Sequence, residues 1–302
     1  MKDKSGHILG LGLVVVDHIM TVERYPNVDS KNEAVASLTQ IGGPVPIALS
    51  QLVKFGHRCR FIGSWGSDPW GQLVENSLSQ RGIEFEHSID TSQATSVSQV
   101  WLEQPSGRRT SCTVRNCRTG IETRLRKEDL SQCQLLHLDG WPGEIAIETA
   151  RVVKSHGGLV AIDTGSPKPG VDEILKLADI VNAPRKFAEQ FMGESDIQRA
   201  SRAIAEYGPK VVCVTDGENG AAMFADGETR FEPATRPPQV VDTNGAGDCF
   251  SGALIHGVLQ QWSPERILRF CTVSAGIKCT RLGNDEALPT LEQVEQTISD
   301  RS

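Results

Sequence analysis

Apolar positions along the chain fall into two alternating patterns. Short runs rich in β-branched residues, at 8–16, 59–63, 135–138, 159–162, 179–181 and 211–214, read as strands. The run at 8–16 is interrupted by glycines yet apolar on both faces, which predicts a buried central strand ending at Asp17. Between these runs, segments 44–55, 70–81, 144–155, 184–192 and 196–207 repeat their apolar residues at helical spacing, and 289–302 reads as a closing amphipathic helix with a frayed end. Strand and helix in alternation predict an α/β fold, a doubly wound and mostly parallel sheet with helices on both faces.

Two stretches break the alternation. Residues 19–38 and 96–114 read as strand pairs with polar alternation and turn residues (Pro26-Asn27 and Pro105-Ser106-Gly107), with no helix between them. They predict a small β-sheet, either an edge extension of the large sheet or a lid over a pocket. No internal repeat divides the chain, so residues 1–302 are expected to form one α/β domain carrying that lid.

Composition narrows the classes of partner. A net charge of −7 provides no general cationic surface for nucleic acid. The longest apolar runs fall well short of the roughly 20 residues that cross a bilayer, and the first residues, Met1-Lys2-Asp3-Lys4, carry no signal-peptide core, so a cytoplasmic protein with no membrane partner is expected. The eight cysteines form no C-x-x-C pair, which reads as idle thiols. Cys249 beside Asp248 is expected to make the protein sensitive to thiol reagents by obstruction.

The chemistry concentrates at 240–254. A strand end is followed by the small-residue turn Asp242-Thr243-Asn244-Gly245-Ala246-Gly247 and then an apolar helix from about Ala246 to Gln260. A helix N-terminus leaves backbone N–H groups unpaired and carries partial positive charge, so it can hold an anion, and glycines let phosphate oxygens approach. Asp248, in the first helical turn, lies beside whatever that hollow holds.

Asp242-Thr243-Asn244-Gly245-Ala246-Gly247-Asp248 resembles the C-terminal signature of the ribokinase/PfkB family of carbohydrate kinases. Gly42-Gly43 ahead of a helix, the run from Phe61 to Gly71, Gly82-Ile83, and Thr215-Asp216-Gly217-Glu218-Asn219-Gly220 resemble other parts of the same family, in order along nearly the whole chain, with a ketohexokinase-like flavour at 25–30. The resemblance implies a ribokinase-like fold and transfer of the γ-phosphate of ATP, with Mg²⁺, to a sugar hydroxyl. It implies Asp248 as general base and Gly245, Ala246 and Gly247 as the anion hole. Thr215, Asp216, Gly217, Gly220, Thr243 and Asn244 become nucleotide-side residues. Asp17, Asp29, Gly42, Gly43 and Arg109 become sugar-side residues, joined by Asp248. Asp242, Asn244 and Gly283 become neighbours of a K⁺ ion, and a homodimer formed through the lids is expected.

The chain also departs from the family pattern. Pro44 stands where many members carry asparagine, and Pro184-Arg185-Lys186-Phe187 replaces the N-x-x-E motif that helps organise Mg²⁺ waters. Arg108, Arg109, Arg115 and Arg118 cluster in an acidic chain, either as a solvated face or as a grip on an anionic sugar. Trp141 reads equally as a sugar-stacking or a core residue. A nucleoside kinase of the same family and a sugar-binding regulatory protein without catalysis remain the alternatives. A dinucleotide-dependent oxidoreductase is disfavoured, because no G-x-G-x-x-G follows the first strand.

Overall fold

The computed structural model describes residues 6–86, 89–90, 93–104, 106–116, 125, 130–141 and 143–300. Arg118, Pro105 and the first four residues, all noted above, lie outside the described residues. Alternation within single strands builds two cores. In β1 (His7–Leu11), Ile8 joins one apolar cluster and Leu9 the other, each essentially inaccessible. Burying such a side chain contributes about 1.5–3 kcal/mol.

β1 pairs in parallel with β4 (Cys59–Ile62) on one side and β10 (Cys133–Leu138) on the other. β4 continues to β6 (Glu84–Phe85), and β10 continues through β11 (Leu159–Asp163) and β12 (Ile180–Pro184) to β13 (Val211–Thr215), all parallel. β14 (Ala221–Ala225) and β15 (Glu228–Glu232) add an antiparallel hairpin, giving a nine-stranded sheet. That hairpin was not foreseen, although its signal was present: Asp226 and Gly227 both take positive φ, the turn that an Asp-Gly pair favours. A short parallel pair, β5 (Trp65–Gly66) and β7 (Ile89–Asp90), stands apart.

Helices cover both faces, as the periodicity predicts. One face packs α1 (Pro44–Lys54), α2 (Pro69–Gln80), α7 (Ala246–Leu259), α8 (Pro264–Lys278) and α9 (Leu291–Ser299). The other packs α3 (Gly143–Ser155), α4 (Val171–Leu177), α5 (Arg185–Met192) and α6 (Ile197–Ala205). Local chemistry starts them: Asp68 accepts the Gly71 N–H at 2.8 Å ahead of α2, and Asp196 accepts those of Gln198 and Arg199 ahead of α6.

The expected strand at 8–16 is in fact two. β1 stops at Leu11, the chain bends at Gly12, and β2 (Val15–Val22) belongs to a separate four-stranded sheet with β3 (Ala36–Gly42), β8 (Val97–Glu103) and β9 (Arg109–Val114). A Cβ at Gly12 would press within 2.7 Å of the Asp139 carboxylate and the Val45 side chain. Hydrophobicity hides the break, because Val15 and Val16 are buried again under the second sheet. This sheet therefore begins earlier and ends later than 19–38, and Asp17 lies on it rather than at the end of β1. Its inner face packs Ile19, Val100 and Leu102 against Leu38 and Leu282.

Candidate active site

α7 begins from a left-handed residue, Gly245, with φ 83°. Any side chain there would be strained by that φ and would also collide with the Asn284 amide, so only glycine fits. Gly247, two residues further on, is exposed and faces open space. Beyond it the helix is buried from Cys249 to Gly257, which fixes the positive end of its dipole at the mouth of a cleft.

Asp248 sits in that first turn, partly covered. Burial, and then the charge of Asp163, push its carboxyl up to about 7, against the pull of Arg109 and Lys278. Asp163 ends β11, where burial raises it as well; its Oδ2 accepts the Ser251 hydroxyl at 2.7 Å and the Asn182 amide at 3.4 Å. Asn182, on β12, also donates to the Gly247 carbonyl at 3.3 Å and to Ser251 Oγ at 2.8 Å. The ends of two parallel strands thus grip the first turn of α7.

The second sheet brings Asp17 to the same place. It is 6% exposed, lies across from Gln40 and Ser98 in the register of its neighbours, and its Oδ2 accepts the Asn244 amide at 3.3 Å. Burial raises its carboxyl to about 6. Gly42 must be glycine, because a Cβ would strike the Asp17 carboxylate; Gly43, with φ 112°, starts α1 against the Leu13 carbonyl. Arg109, at the start of β9, is close enough for its charge to hold down both Asp17 and Asp248. Asp29 does not join them: it is exposed, in a left-handed turn at φ 59°, and among the described residues it makes no hydrogen bond or ion pair.

On the far side of the α7 N-terminus lies a cavity of about 440 Å³. Thr215, Gly217, Gly220 and Thr243 line it together with Ala246, Gly247 and Phe250, and the small residues Ala234, Ala275 and Gly276 keep its wall open. Asp216 is not in its wall; its carboxylate pairs with Arg185 at 3.2 Å and accepts from Asn219 at 2.9 Å. Asn244 is turned away too, toward Asp17. Arg108 bridges the sheets, 3.4 Å from Glu218 on the cavity rim. Cys249 is fully buried, its thiol donating to the side-chain Oε1 of Gln51 at 3.3 Å and burial pushing its pKa up, so the expected thiol sensitivity has no basis at this residue.

The expected K⁺ neighbourhood is already filled. Asp242 accepts the Asn244 N–H at 2.7 Å through Oδ1 and the Gly283 N–H at 2.9 Å through Oδ2, and the Lys278 ammonium stands 2.9 Å from its carbonyl oxygen and 3.3 Å from Oδ2. Asp242 therefore holds a lysine, with the N–H groups of Asn244 and Gly283 on its carboxylate. Nor do the residues at the N-x-x-E position suit Mg²⁺: Phe187 is core and Pro184 caps α5, and among the described residues no cluster of three or more His, Cys, Asp or Glu could cage a metal. Among those residues no helix is long and apolar enough to cross a membrane.

Compared with known proteins, residues 7–291 match the pfkB family carbohydrate kinase description. The chain belongs to that family. It is thus a phosphotransferase with an alcohol acceptor, a carbohydrate kinase in class. This pfkB-family chain is 25% identical to ketohexokinase of Mus musculus, over 94% of its own length and 99% of that protein's. Its fold is that of a putative ribokinase from Agrobacterium tumefaciens, at TM-score 0.89 and 20% identity, with 98% of each chain covered. It also matches a putative ribokinase II from E. coli solved in complex with ATP and Mg²⁺, at TM-score 0.83 and 22% identity, covering 98% of this chain and 99% of that one. The ribokinase-like α/β architecture is the one expected from the motifs.

Several residues of the candidate site escaped the sequence reading. Asp163 sits at the carboxyl end of a parallel strand, where ligands of open α/β sheets gather, and that position rule could have found it. Asn182 carries no such signal beyond its place at the end of β12. Lys168 donates to the Thr164 carbonyl at 2.9 Å, its charge facing Asp139 and Asp163 and its neighbour Arg115 opposing it. Asp139 accepts the N–H groups of Leu13 and Trp141 at 2.8 and 2.9 Å, while burial raises its carboxyl to about 6. Trp141 itself is half-buried beside it.

Proposed function

We propose that this pfkB-family kinase transfers the γ-phosphate of ATP to a hydroxyl of a ketose or related sugar, with Asp248 as base. The whole chain acts as one kinase domain, and the four-stranded sheet serves as its lid. The observation that carries this reading is the position of Asp248. It stands at one helix N-terminus between the cavity edged by Ala246 and Gly247 and the cluster formed by Asp17 and Arg109.

In this reading the sugar lies under the second sheet. Asp17 accepts from its hydroxyls, steadied by Asn244, and the charge of Arg109 partly offsets the burial that raises Asp17 and Asp248. The adenosine of ATP takes the slot past Gly217, Gly220 and Gly276, with its phosphates directed at the α7 N-terminus. The acceptor oxygen forms a bond to the γ-phosphorus as the bond from phosphorus to the β–γ bridging oxygen breaks; the acceptor proton goes to Asp248 and ADP leaves. Backbone N–H groups at 245–247 face the charge that builds on the phosphoryl oxygens. Mg²⁺ would arrive with the phosphates and neutralise part of their charge, since the described residues offer it no cage of their own.

The test is ADP release with Mg·ATP across ketoses, aldoses, sugar acids, phosphosugars and nucleosides, with Asp248→Asn alongside. One preferred sugar and a variant slower by about 10² to 10⁴ are expected. Preference for a nucleoside, or turnover that survives the substitution, overturns the reading. Met20 and Trp101, paired in register and each about 40% exposed on the lid's outer face, suit a lid-to-lid homodimer; sedimentation should return twice the chain mass, and a monomer refutes this part.

A further inference from the structure

Lys278 is the last residue of α8, where a lysine ordinarily turns outward and keeps its ammonium in water. Here it is 0% exposed and directed inward. Its Nζ donates to the Asp242 carbonyl at 2.9 Å and lies 3.3 Å from that residue's carboxylate, itself 0% exposed. Taking both charges out of water is costly, so the arrangement stands only because each satisfies the other. It is also tied to the reactive turn. Asp242 holds the Asn244 N–H, one residue before Gly245, and the Gly283 N–H, while the N–H groups of Val241 and Asp242 both reach the Cys279 carbonyl. One carbonyl and one carboxylate oxygen around a single positive charge form a donor set that a weakly hydrated monovalent cation also takes. The charge of Lys278 is felt at Asp248.

We propose that the Lys278 ammonium is a built-in monovalent cation that holds Asp242 and the anion-hole turn in shape, so that neither nucleotide binding nor turnover requires K⁺. This rests on the kinase reading above, and the measurement separates the two. Lys278 acts here as a positioning residue, through the backbone of 242–245.

Binding of Mg·ADP by calorimetry and thermal unfolding are compared in KCl and in tetramethylammonium chloride at equal ionic strength. Wild type should show the same affinity, within about twofold, and the same Tm in both salts. Lys278→Ala should bind ADP about tenfold more weakly in tetramethylammonium, the size of one charge-assisted contact, and recover in KCl or NH₄Cl, whose ions fit the space the lysine leaves. K⁺ that tightens wild-type binding about tenfold or raises its Tm overturns the proposal, as does a folded variant that neither ion restores. A variant that fails to fold leaves the wild-type salt comparison to decide. Should wild type bind no nucleotide in either salt, the kinase reading fails by itself, and Lys278 is judged by Tm alone: K⁺ should raise that of Lys278→Ala and not that of wild type.

Discussion

Thr243 holds the carbonyl of Gly107 twice, through its N–H at 3.2 Å and its hydroxyl at 2.7 Å. The tip of the β8–β9 hairpin is thereby pinned to the loop that leads into α7. The two cannot move apart without breaking both bonds. Gly107 suits the contact, because its φ of 63° and its closeness to Val240, 2.6 Å from where a Cβ would stand, leave no room for a side chain.

Thr243→Val keeps the N–H bond and deletes the hydroxyl one, about 1 kcal/mol of lid closure. The KM for the sugar should rise about fivefold, with a smaller change in the KM for ATP. Steady-state kinetics with each substrate varied in turn measures the split, and equal changes in both would count against the lid's role.

Asp248, held near 7 by burial and by Asp163, must lose its proton to act as base. kcat/KM should therefore climb tenfold per pH unit below about 7 and flatten above. Arg109 lowers that carboxyl, so Arg109→Gln should move the rising limb to higher pH by about half a unit or more. A limb that stays in place in the variant would refute the electrostatic link.

The same raised carboxyl costs stability. The folded protein keeps the Asp248 proton up to about 7, whereas an unfolded aspartate releases it near 4, so stability from this group is full below about 4 and drains away as pH rises to about 7. Asp248→Asn, which cannot ionise, should then raise Tm at pH 8 by about 2 °C or more, and lose this advantage near pH 4. Scanning calorimetry at the two pH values shows whether it does.

Asn182 ties Asp163, Ser251 and the Gly247 carbonyl into one network, and Asn182→Ala leaves buried polar groups unpaired. A loss of about 1–3 kcal/mol in stability is expected, together with a lower kcat at unchanged KM for ATP. Denaturant unfolding and kinetics on the same preparation check both.

The fold was legible wherever local pattern and burial agree. Most of the parallel strands and the helices α1, α2, α3, α5, α6 and α9 follow from periodicity, and α7 with its Gly245 to Asp248 turn from residue types, whereas α4 and α8 were not among the segments read as helices. The break at Gly12 was hidden because the chain passes from one buried sheet directly to another, so hydrophobicity never drops. Lys278 was invisible for the opposite reason: a lysine ending a helix is expected to face solvent, and only the fold shows Asp242 beneath it. Asp29 holds a sugar-side role by resemblance alone, and no pattern in the sequence showed that its loop leaves it exposed.

β1 is contributed by the first described residues of the chain yet lies inside the large sheet, third from one edge, with β4 on one flank and β10 on the other. An N-terminal strand in that position is a keystone rather than a trim. Truncation past Leu11 would not shorten an edge; it would expose two new ones, on β4 and β10, each a row of unpaired backbone groups flanked by apolar side chains and open to pairing with another molecule. Proteolysis that reaches this strand should accordingly end in aggregation rather than in a smaller active enzyme.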